Sequence, residues 1–195
     1  MLTLGLFQLS VWLGRTLKLI TRTVAGTRCT TDRYGVDSWA VVSGCSDLIG
    51  RASAKYLAKQ GFNLVLIGST HAEVNASEAY VKDATRAIGK TVKTKKIVHD
   101  YTKNFTAQAY EKLFNEHLKG LDISVLHNNA SCDATGQFCE LDPDRIHDAL
   151  TTNMYSATML GRLMMDGFIE RYEKNSRLHS LIVNTSAQSA LVAVP

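Results

Sequence analysis

From residue 39 onward, short apolar runs alternate with segments whose apolar residues recur at helical spacing. Short apolar runs bounded by turns are typical of strands that are buried on both faces of a parallel sheet. Because helical segments separate the runs, the pattern predicts repeated strand–helix units. The predicted strands are Trp39–Ser43, Asn63–Ile67, Lys96–His99, Ile123–His127 and Leu181–Thr185.

Turn and capping residues between these runs agree with this pattern. Gly61 and Gly120 stand where the helices before strands two and four should end, and Thr70 with Glu73 forms a capping-box pattern after strand two. The sequence therefore predicts an α/β fold with a Rossmann-like, doubly wound parallel sheet of about five strands. A long helix is predicted to begin near Pro143, with one face formed by Ile146, Leu150, Asn153, Ala157, Leu160, Met164 and Phe168.

Asn153 is the polar member of that apolar face. A buried amide without a partner costs about 1–3 kcal/mol, so Asn153 is expected to be hydrogen-bonded to another buried group. From the residues alone, a packing role and a functional role both stay open.

A different pattern precedes the domain. The segment Leu2–Leu13 is uncharged and mostly apolar, but it is shorter than the roughly 20 residues that span a bilayer. From Leu13 onward the spacing predicts an amphipathic helix. Its apolar face comprises Leu13, Leu17, Ile20 and Val24, and its basic face Arg15, Lys18 and Arg22. A membrane anchor, a mitochondrial presequence and, less well, a helix packed on the domain fit this leader. The predicted division is a leader at 1–31 and a globular domain at 32–195.

Composition narrows the possible classes. With 45% hydrophobic residues and 2 Pro in 195 residues, the chain is typical of one globular domain. The net charge of +4 comes from four basic residues in the leader, because the rest of the chain has 18 basic and 18 acidic residues. A nucleic-acid-binding surface is therefore not expected. The cysteines form no Cys-x-x-Cys pair, and neither disulfides nor a metal site are predicted.

The motif with the clearest chemistry begins where the first strand ends. Residues 43–50 are Ser-Gly-Cys-Ser-Asp-Leu-Ile-Gly and precede a helical segment. A glycine-rich turn at a helix N-terminus presents backbone N–H groups to a pyrophosphate. Leu48 departs from the pattern, because a glycine there lets the backbone approach the phosphate. A turn that binds nothing remains the alternative to a dinucleotide site formed by Ser43, Gly44, Cys45, Ser46, Ile49 and Gly50.

With these residues the chain resembles the short-chain dehydrogenase/reductase family over about residues 39–195. Ser43, Gly44 and Gly50 match its T-G-x-x-x-G-x-G motif, and Asn128-Asn129-Ala130-Ser131 resembles its N-N-A-G. The first strand and the leader look most similar to the branch of beta-ketoacyl-CoA reductases, hydroxysteroid dehydrogenases and inactive hydroxysteroid dehydrogenase-like proteins. The resemblance implies a nicotinamide dinucleotide cofactor, weakly NADP rather than NAD, and a lipid-like ketone or alcohol as substrate.

The resemblance also implies roles for single residues. Asp100 matches the acid that contacts adenine, although it equally fits a turn-capping role. Asn128, Asn129 and Ala130 match the floor of the cofactor site, and Asn153 matches the asparagine that holds a proton-relay water. After strand two no acid or Arg follows directly, and Ser69 is the candidate phosphate contact. The catalytic serine position falls on Ala187, so its neighbour Ser186 is the catalytic candidate and Ser189 lies close by.

No tyrosine in the chain has Lys four residues later, so the Tyr-x-x-x-Lys proton donor of the family is missing. By the resemblance, that motif and the family's last strands would fall beyond Pro195. Two hypotheses follow: an NADP-linked oxidoreductase, catalytically impaired as given, or a pseudoenzyme that binds a nucleotide or protein partner at a membrane. The leader predicts a membrane-surface contact, at the cytosolic face of the endoplasmic reticulum or at the mitochondrion. An open edge at strand five favours homo-oligomers.

Overall fold

The computed structural model describes residues 2–24 and 31–187, with side chains in the first segment given for residues 8 and 10–20. The described strands are β1 (Trp39–Ser43), β2 (Asn63–Gly68), β3 (Thr94–Val98), β4 (Ile123–Asn128) and β5 (Leu181–Asn184). They form one parallel sheet in the order β3-β2-β1-β4-β5. The predicted Rossmann-like fold is confirmed, and each predicted strand end lies within two residues of the observed one.

The helices are α1 (Leu2–Val24), α2 (Thr31–Tyr34), α3 (Leu48–Gln60), α4 (His71–Arg86), α5 (Ala107–Leu113), α6 (Pro143–Leu150) and α7 (Ser156–Lys174). Side chains of α3 and α4 pack with Val42 and Leu64 on one face of the sheet. Side chains of α5 and α7 pack with Val41 and Val65 on the other. Alternate residues of each strand are therefore buried in opposite cores, as period-two geometry requires.

The single long helix predicted from Pro143 is interrupted by a π-helical turn at Thr151–Tyr155. A π turn inserts one residue into the helical register. Before the turn, the buried positions are therefore displaced from the predicted apolar face, and Leu150 and Asn153 are exposed, whereas Thr151 and Thr152 are buried. After the turn the predicted face is confirmed at Leu160, Met164 and Phe168, all of which are buried.

The described side chains of α1 that form its predicted apolar face, Leu13, Leu17 and Ile20, are all exposed. Val24 and Arg22 lie outside the described side chains. Among the described helices, none is both long and apolar enough to cross a membrane. The division at residue 31 stays a prediction.

Candidate functional site

The carboxyl ends of β1 and β4 lie side by side where the strand order reverses, since the chain crosses from β3 at one edge to β4 on the far side of β1. Ligands of open α/β sheets bind in the crevice outside such a switch point. The loops after β1 and β4 therefore form the candidate site. They bring together the predicted residues Ser43, Gly44, Cys45, Ser46, Ile49, Gly50, Asn128, Asn129 and Ala130.

The two loops meet at Gly44. This residue has φ of 61°, and a Cβ placed on it would lie 2.6 Å from Ala130 Cα and 2.7 Å from Ala130 N. The Ser43 hydroxyl oxygen accepts hydrogen bonds from the amides of Asn129 at 3.0 Å and Ala130 at 3.3 Å. Backbone therefore packs directly on backbone here, and only glycine fits at position 44.

The start of α3 is held against the same turn. A Cβ on Gly50 would collide with the Gly44 carbonyl oxygen, so the helix can approach the turn only with glycine there. The Asp47 carboxylate caps α3 by accepting from the Gly50 amide at 2.6 Å. In the described part of the chain, the amides of Leu48 and Ile49 have no acceptor. Two free N–H groups at the positive end of a helix fit an anionic oxygen.

The side chain of Leu48 is 88% exposed, so it does not pack into the crevice. Ile49 is also exposed, whereas Cys45 is fully buried. Burial raises the pKa of the Cys45 thiol. The Cys45 amide donates to Ile67 O at 3.2 Å and its carbonyl accepts from Ser77 Oγ at 2.7 Å, so all its groups face the protein. Cys45 therefore shapes the turn from inside.

Asn129 joins the two loops. Its Nδ2 group donates to Gly44 O at 3.0 Å and to both Asp47 carboxylate oxygens at 3.0 and 3.1 Å. Its Oδ1 accepts from the Thr185 hydroxyl at 3.0 Å. The side chain is buried, and both its Nδ2 and its Oδ1 groups are hydrogen-bonded within the protein. The described contacts are therefore those of a residue that braces the two loops. A direct role of Asn129 toward a cofactor stays a prediction.

This network continues into the sheet through His127. The His127 Nε2 atom lies 2.9 Å from Thr185 Oγ1. Because the single hydroxyl proton of Thr185 is donated to Asn129, the imidazole is assigned as the donor to Thr185. Burial lowers the pKa of His127, while the Asp47 charge opposes that shift. His127, Thr185 and Asp47 were not among the residues predicted for the site, because their contact joins a strand to two loops that are distant in the sequence.

Two other predicted residues are occupied with structural contacts. Asn128 Nδ2 donates to Asn184 Oδ1 at 2.9 Å, which ties β4 to β5. Asn153 was expected to be buried, but it is exposed because of the π turn. Its amide accepts from Cys132 N and donates to Cys132 O, both at 2.8 Å. Its role toward a relay water stays a prediction.

Ser186 and Ala187 are exposed after β5, and among residues 31–187 no hydrogen bond joins Ser186 to Asn153 or to the β1–α3 turn. Ser189 lies outside the described residues. The structure therefore brings together the residues after β1 and β4 that were predicted to bind a cofactor, and the described contacts do not join Ser186 to them. The catalytic role predicted for Ser186 stays a prediction.

The end of β2 carries a contact that the sequence analysis did not anticipate. The amide and the hydroxyl of Ser69 both donate to Glu73 Oε2, at 3.0 and 2.8 Å. A phosphate contact through Ser69 stays a prediction. Glu73 is thus an acid at this strand end, which sequence reasoning missed because the residue was explained as a helix cap. Its spacing of four residues from Ser69, inside a capping-box pattern, was the available signal.

Asp100 follows β3 and accepts from the amide and hydroxyl of Thr102 at 3.1 and 2.7 Å. Burial raises the pKa of Asp100, but the Thr102 hydrogen bonds and the Lys103 ammonium at 3.2 Å outweigh this and lower it overall. These contacts are those of a turn-capping residue. Contact with an adenine ring stays a prediction.

Two hollows, of about 200 and 470 Å³, lie along β3 rather than at the switch point. Both are lined by Ile97, Val98 and His117. They carry none of the residues predicted for the site. The crevice at the ends of β1 and β4 is therefore preferred for its chemistry and not for its depth.

The model of the short chain dehydrogenase family matches residues 38–195. The chain belongs to the short-chain dehydrogenase family. The chain also shares the fold of solved structures that contain a dinucleotide. A metagenomic short-chain oxidoreductase in complex with NADP superposes with a TM-score of 0.65 at 21% identity, over 78% of this chain and 63% of that one. A NAD⁺-bound xylitol dehydrogenase superposes with a TM-score of 0.63 at 23% identity, over 81% and 56%.

Curated relatives are similar at higher identity. Hydroxysteroid dehydrogenase-like protein 1 of Gallus gallus is 34% identical over 167 residues, which is 84% of this chain and 45% of that protein. The very-long-chain 3-oxoacyl-CoA reductase of Mycosarcoma maydis is 31% identical over 161 residues, 81% and 42% respectively. The inactive hydroxysteroid dehydrogenase-like protein 1 of Pongo abelii is 31% identical over 141 residues, 71% and 40%. The chain spans less than half the length of these relatives.

Proposed function

We propose that the crevice outside β1 and β4 binds a nicotinamide dinucleotide with its pyrophosphate at the start of α3. The observation that carries this is the pair of free amides at Leu48 and Ile49, held in place by the close packing of Gly44 on Ala130 and of Gly50 on Gly44. A glycine-rich turn that brings a helix start close to a strand end is the arrangement in which backbone N–H groups meet a pyrophosphate. Family membership and dinucleotide-bound neighbours support the same cofactor class.

Each residue of this turn has a separate task in the proposal. The Leu48 and Ile49 amides hold the pyrophosphate, and Asn129 keeps the two loops in register through Gly44 and Asp47. When bound, a reduced nicotinamide ring would supply a hydride to a carbonyl carbon, and an oxidised ring would accept one from the hydroxyl-bearing carbon of an alcohol. The substrate class we propose is a lipid-like ketone or alcohol of the steroid or fatty-acyl type, which the names of the curated relatives support.

Titration of the 195-residue chain with NADH and with NADPH, followed by the nicotinamide fluorescence, tests the cofactor proposal. Saturable binding is expected, and Leu48→Gly should tighten it because a smaller residue lets the backbone approach the phosphate. Tyr56→Ala, an exposed position in the middle of α3, is the matched control and should leave affinity unchanged. Failure of both dinucleotides to bind, in the parent chain and in Leu48→Gly, contradicts the proposal.

Catalysis needs a proton donor besides the hydride, and the chain contains no Tyr-x-x-x-Lys to supply it. We therefore propose that the 195-residue chain is catalytically impaired. NADPH-dependent reduction of acyl or steroid ketones should be undetectable in a spectrophotometric assay. Turnover that Asn153→Ala abolishes would overturn this.

A second candidate is a pseudoenzyme that binds a nucleotide or a protein partner at a membrane. It is favoured by Ala187 at the expected serine position and by the Asn153 amide, whose Oδ1 and Nδ2 both already bond to the Cys132 backbone. The sequence that follows residue 195 in the transcript separates the two candidates. A Tyr-x-x-x-Lys there supports the enzyme, and its absence supports the pseudoenzyme.

The amphipathic helix α1 supports a proposal of membrane association, at the cytosolic face of the endoplasmic reticulum or at the mitochondrion. Leu13, Leu17 and Ile20 are exposed on α1, and Arg15 and Lys18 suit an anionic lipid surface. Co-sedimentation with anionic vesicles should be lost in Leu17→Glu and retained in Leu57→Ile, a core change in α3. Equal binding by Leu17→Glu contradicts a contact through α1.

A further inference from the structure

The charges of residues 31–187 balance in number but are separated in space. Because the sheet is parallel, every segment that leads into a strand lies at the amino end of the sheet, opposite the crevice outside β1 and β4. These segments hold six cationic side chains that form no ion pair within residues 31–187: Arg33, Lys59, Lys90, Lys93, Lys119 and Arg177. They hold only three such carboxylates, Asp32, Asp37 and Glu173. We call this surface the amino-end face.

The carboxyl end of the sheet carries the opposite charge. The loops after β1, β2 and β4, with the helix turns that follow them, hold seven carboxylates that form no ion pair in the part of the chain that the structure describes. These are Asp47, Glu73, Asp133, Glu140, Asp142, Asp144 and Asp148. The cations without an ion pair in the same segments are Arg51 and Arg145. The domain is therefore polarised, with a basic amino end and an acidic end around the crevice.

A structural role accounts for part of the amino-end face. Lys59 lies in the last turn of α3, and the Lys90 ammonium donates to Lys59 O at 2.6 Å, so both offset the negative end of that helix. The other cations include Lys93, Lys119 and Arg177, all exposed. Between residues 31 and 187, the cationic groups of these three make neither an ion pair nor a hydrogen bond. Their charges are therefore available to an external anion.

The leader joins the domain at this same face. The helix α2 begins at Thr31, and a Cβ placed on Gly61, between α3 and β2, would lie 3.6 Å from Thr31 Cγ2. Only residues 25–30 separate Val24, at the end of α1, from Thr31, and a chain of that length spans at most about 25 Å. A surface that α1 contacts is therefore within reach of the amino-end face.

Exposed apolar side chains lie among these charges. Val36, in the loop before β1, is 75% exposed, and Ile88, after α4, is 46% exposed. Basic side chains attract anionic headgroups, and single apolar side chains beside them can enter the headgroup region. This mixture, next to the end of the leader, fits a lipid surface.

We propose that the amino-end face is a second contact with an anionic bilayer, and that this contact turns the crevice outside β1 and β4 away from the membrane. The inference rests on the proposed membrane association of α1 and adds the face of the domain that meets the lipid. Anionic headgroups repel the acidic carboxyl end, which disfavours the reverse orientation. In the proposed orientation a ligand reaches the crevice from the aqueous side.

Co-sedimentation of the 195-residue chain with vesicles of phosphatidylserine and phosphatidylcholine measures this contact. The double variant Lys93→Gln/Lys119→Gln removes two charges from the amino-end face. The control, Lys103→Gln/Lys112→Gln, makes the same change in net charge at exposed positions after β3 and in α5. Since each basic residue at an anionic surface contributes about fivefold, the first variant should lower the partition coefficient by about tenfold or more at low salt. The control should lower it by less than about twofold.

Orientation has its own readout in Cys139, which is exposed in the segment between β4 and α6. Its rate of modification by a membrane-impermeant maleimide, mapped to the residue by mass spectrometry, should be the same with and without vesicles. A thiol introduced by Lys119→Cys should react more slowly when vesicles are present. Protection of Cys139, which follows the exposed Phe138, would place the carboxyl end on the bilayer and overturn the inference.

The two membrane proposals can fail separately. If the parent chain binds vesicles and Lys93→Gln/Lys119→Gln binds equally well, or if both double variants lose the same affinity, the inference is overturned and the α1 contact stands. If the parent chain does not bind, both are overturned. Circular dichroism checks folding, and Lys93→Gln/Arg177→Gln replaces the first variant, with the same expected loss, if that variant does not fold.

Discussion

Two strand–turn–helix junctions lie next to each other in this sheet, and they differ in the hydrogen-bond donors that they leave available to an anion. At the β1–α3 junction, Asp47 precedes the helix and its carboxylate takes the Gly50 amide. At the β2–α4 junction, Thr70 caps the helix by accepting from the Glu73 amide at 3.3 Å, and the Glu73 carboxylate takes the donors of Ser69. Both junctions join a strand to a helix through a short turn. The acid is the N-cap residue in the first junction and the third helical residue in the second.

The difference lies in which donors remain free. The first junction leaves the Leu48 and Ile49 amides open, whereas the second uses the amide and hydroxyl of Ser69 inside the turn. Free donors at a helix start attract an anion. The first junction therefore keeps two amides available to an anion beside the Asp47 carboxylate, whereas the second has its Ser69 donors engaged by Glu73.

Added methyl groups should break the first junction more severely than the second. Gly50→Ala places a Cβ against the Gly44 carbonyl oxygen, which is backbone and cannot move aside, so we expect a loss of about 3 kcal/mol or more in the free energy of unfolding. Gly68→Ala meets side-chain atoms of Val74 at 3.0 Å and Glu73 at 3.3 Å, and should cost about 1 kcal/mol. Urea denaturation measures both.

Gly167→Ala is the control for this pair. Gly167 lies within α7 with no atom inside 4 Å of an added Cβ, so the same methyl group should stabilise the protein by about 0.5–1 kcal/mol. Equal losses at Gly50 and Gly68 would show that the first junction is not the more closely packed of the two.

Lowering the pH should weaken the first junction through His127. Burial lowers the pKa of His127 and of His99 below the usual 6.5. Between that value and the lower folded one, the unfolded chain binds more protons, so stability is full above pH 6.5 and falls as the pH drops below it. The urea midpoint should accordingly be lower at pH 5.5 than at pH 7.5.

The variant His127→Gln should flatten this dependence, since glutamine keeps a donor for Thr185 and does not titrate. His71→Gln, at an exposed position, is the control and should leave the slope unchanged. A slope in His127→Gln equal to that of the parent chain would assign the effect to His99. Glu78 does not confuse the range: burial raises its pKa, but hydrogen bonds from Thr94, Lys82 and Lys96 lower it overall to about 2.

The sequence was sufficient for most of the sheet, because β1, β2, β4 and β5 are short apolar runs that depend little on distant residues. The strand β3 begins with Thr-Lys-Lys, and its start was predicted two residues late. The sequence was not sufficient for the helix after Pro143. Thr151, Thr152 and Asn153 have similar polarity, so a one-residue insertion there leaves no trace in the apolar period. The predicted burial of Asn153 was wrong for this reason.

The glycines of the site could be predicted from one local motif, whereas its charges could not. Gly44 and Gly50 are recognisable within eight residues of sequence. The network of His127, Thr185 and Asp47 joins strand β4 to the loops after β1 and β5, which only the sheet order brings together. Glu73 was visible as a cap, but which backbone group its carboxylate takes is a matter of side-chain geometry that no pattern encodes.

The variant Asp47→Asn has the smallest expected effect on stability, and it tests directly how the acid of the first junction acts on a ligand. Asp47→Asn keeps an N-cap oxygen for the Gly50 amide, so the free energy of unfolding should change by less than about 1 kcal/mol. It removes a negative charge beside the free amides of α3, and dinucleotide affinity should therefore rise by about three- to tenfold at low salt. Asp142→Asn, the same change at the N-cap of α6, should alter stability equally and affinity not at all. Weaker binding by Asp47→Asn would mean that the Asp47 carboxylate orders the turn for its ligand, and that it acts through the backbone rather than through its charge.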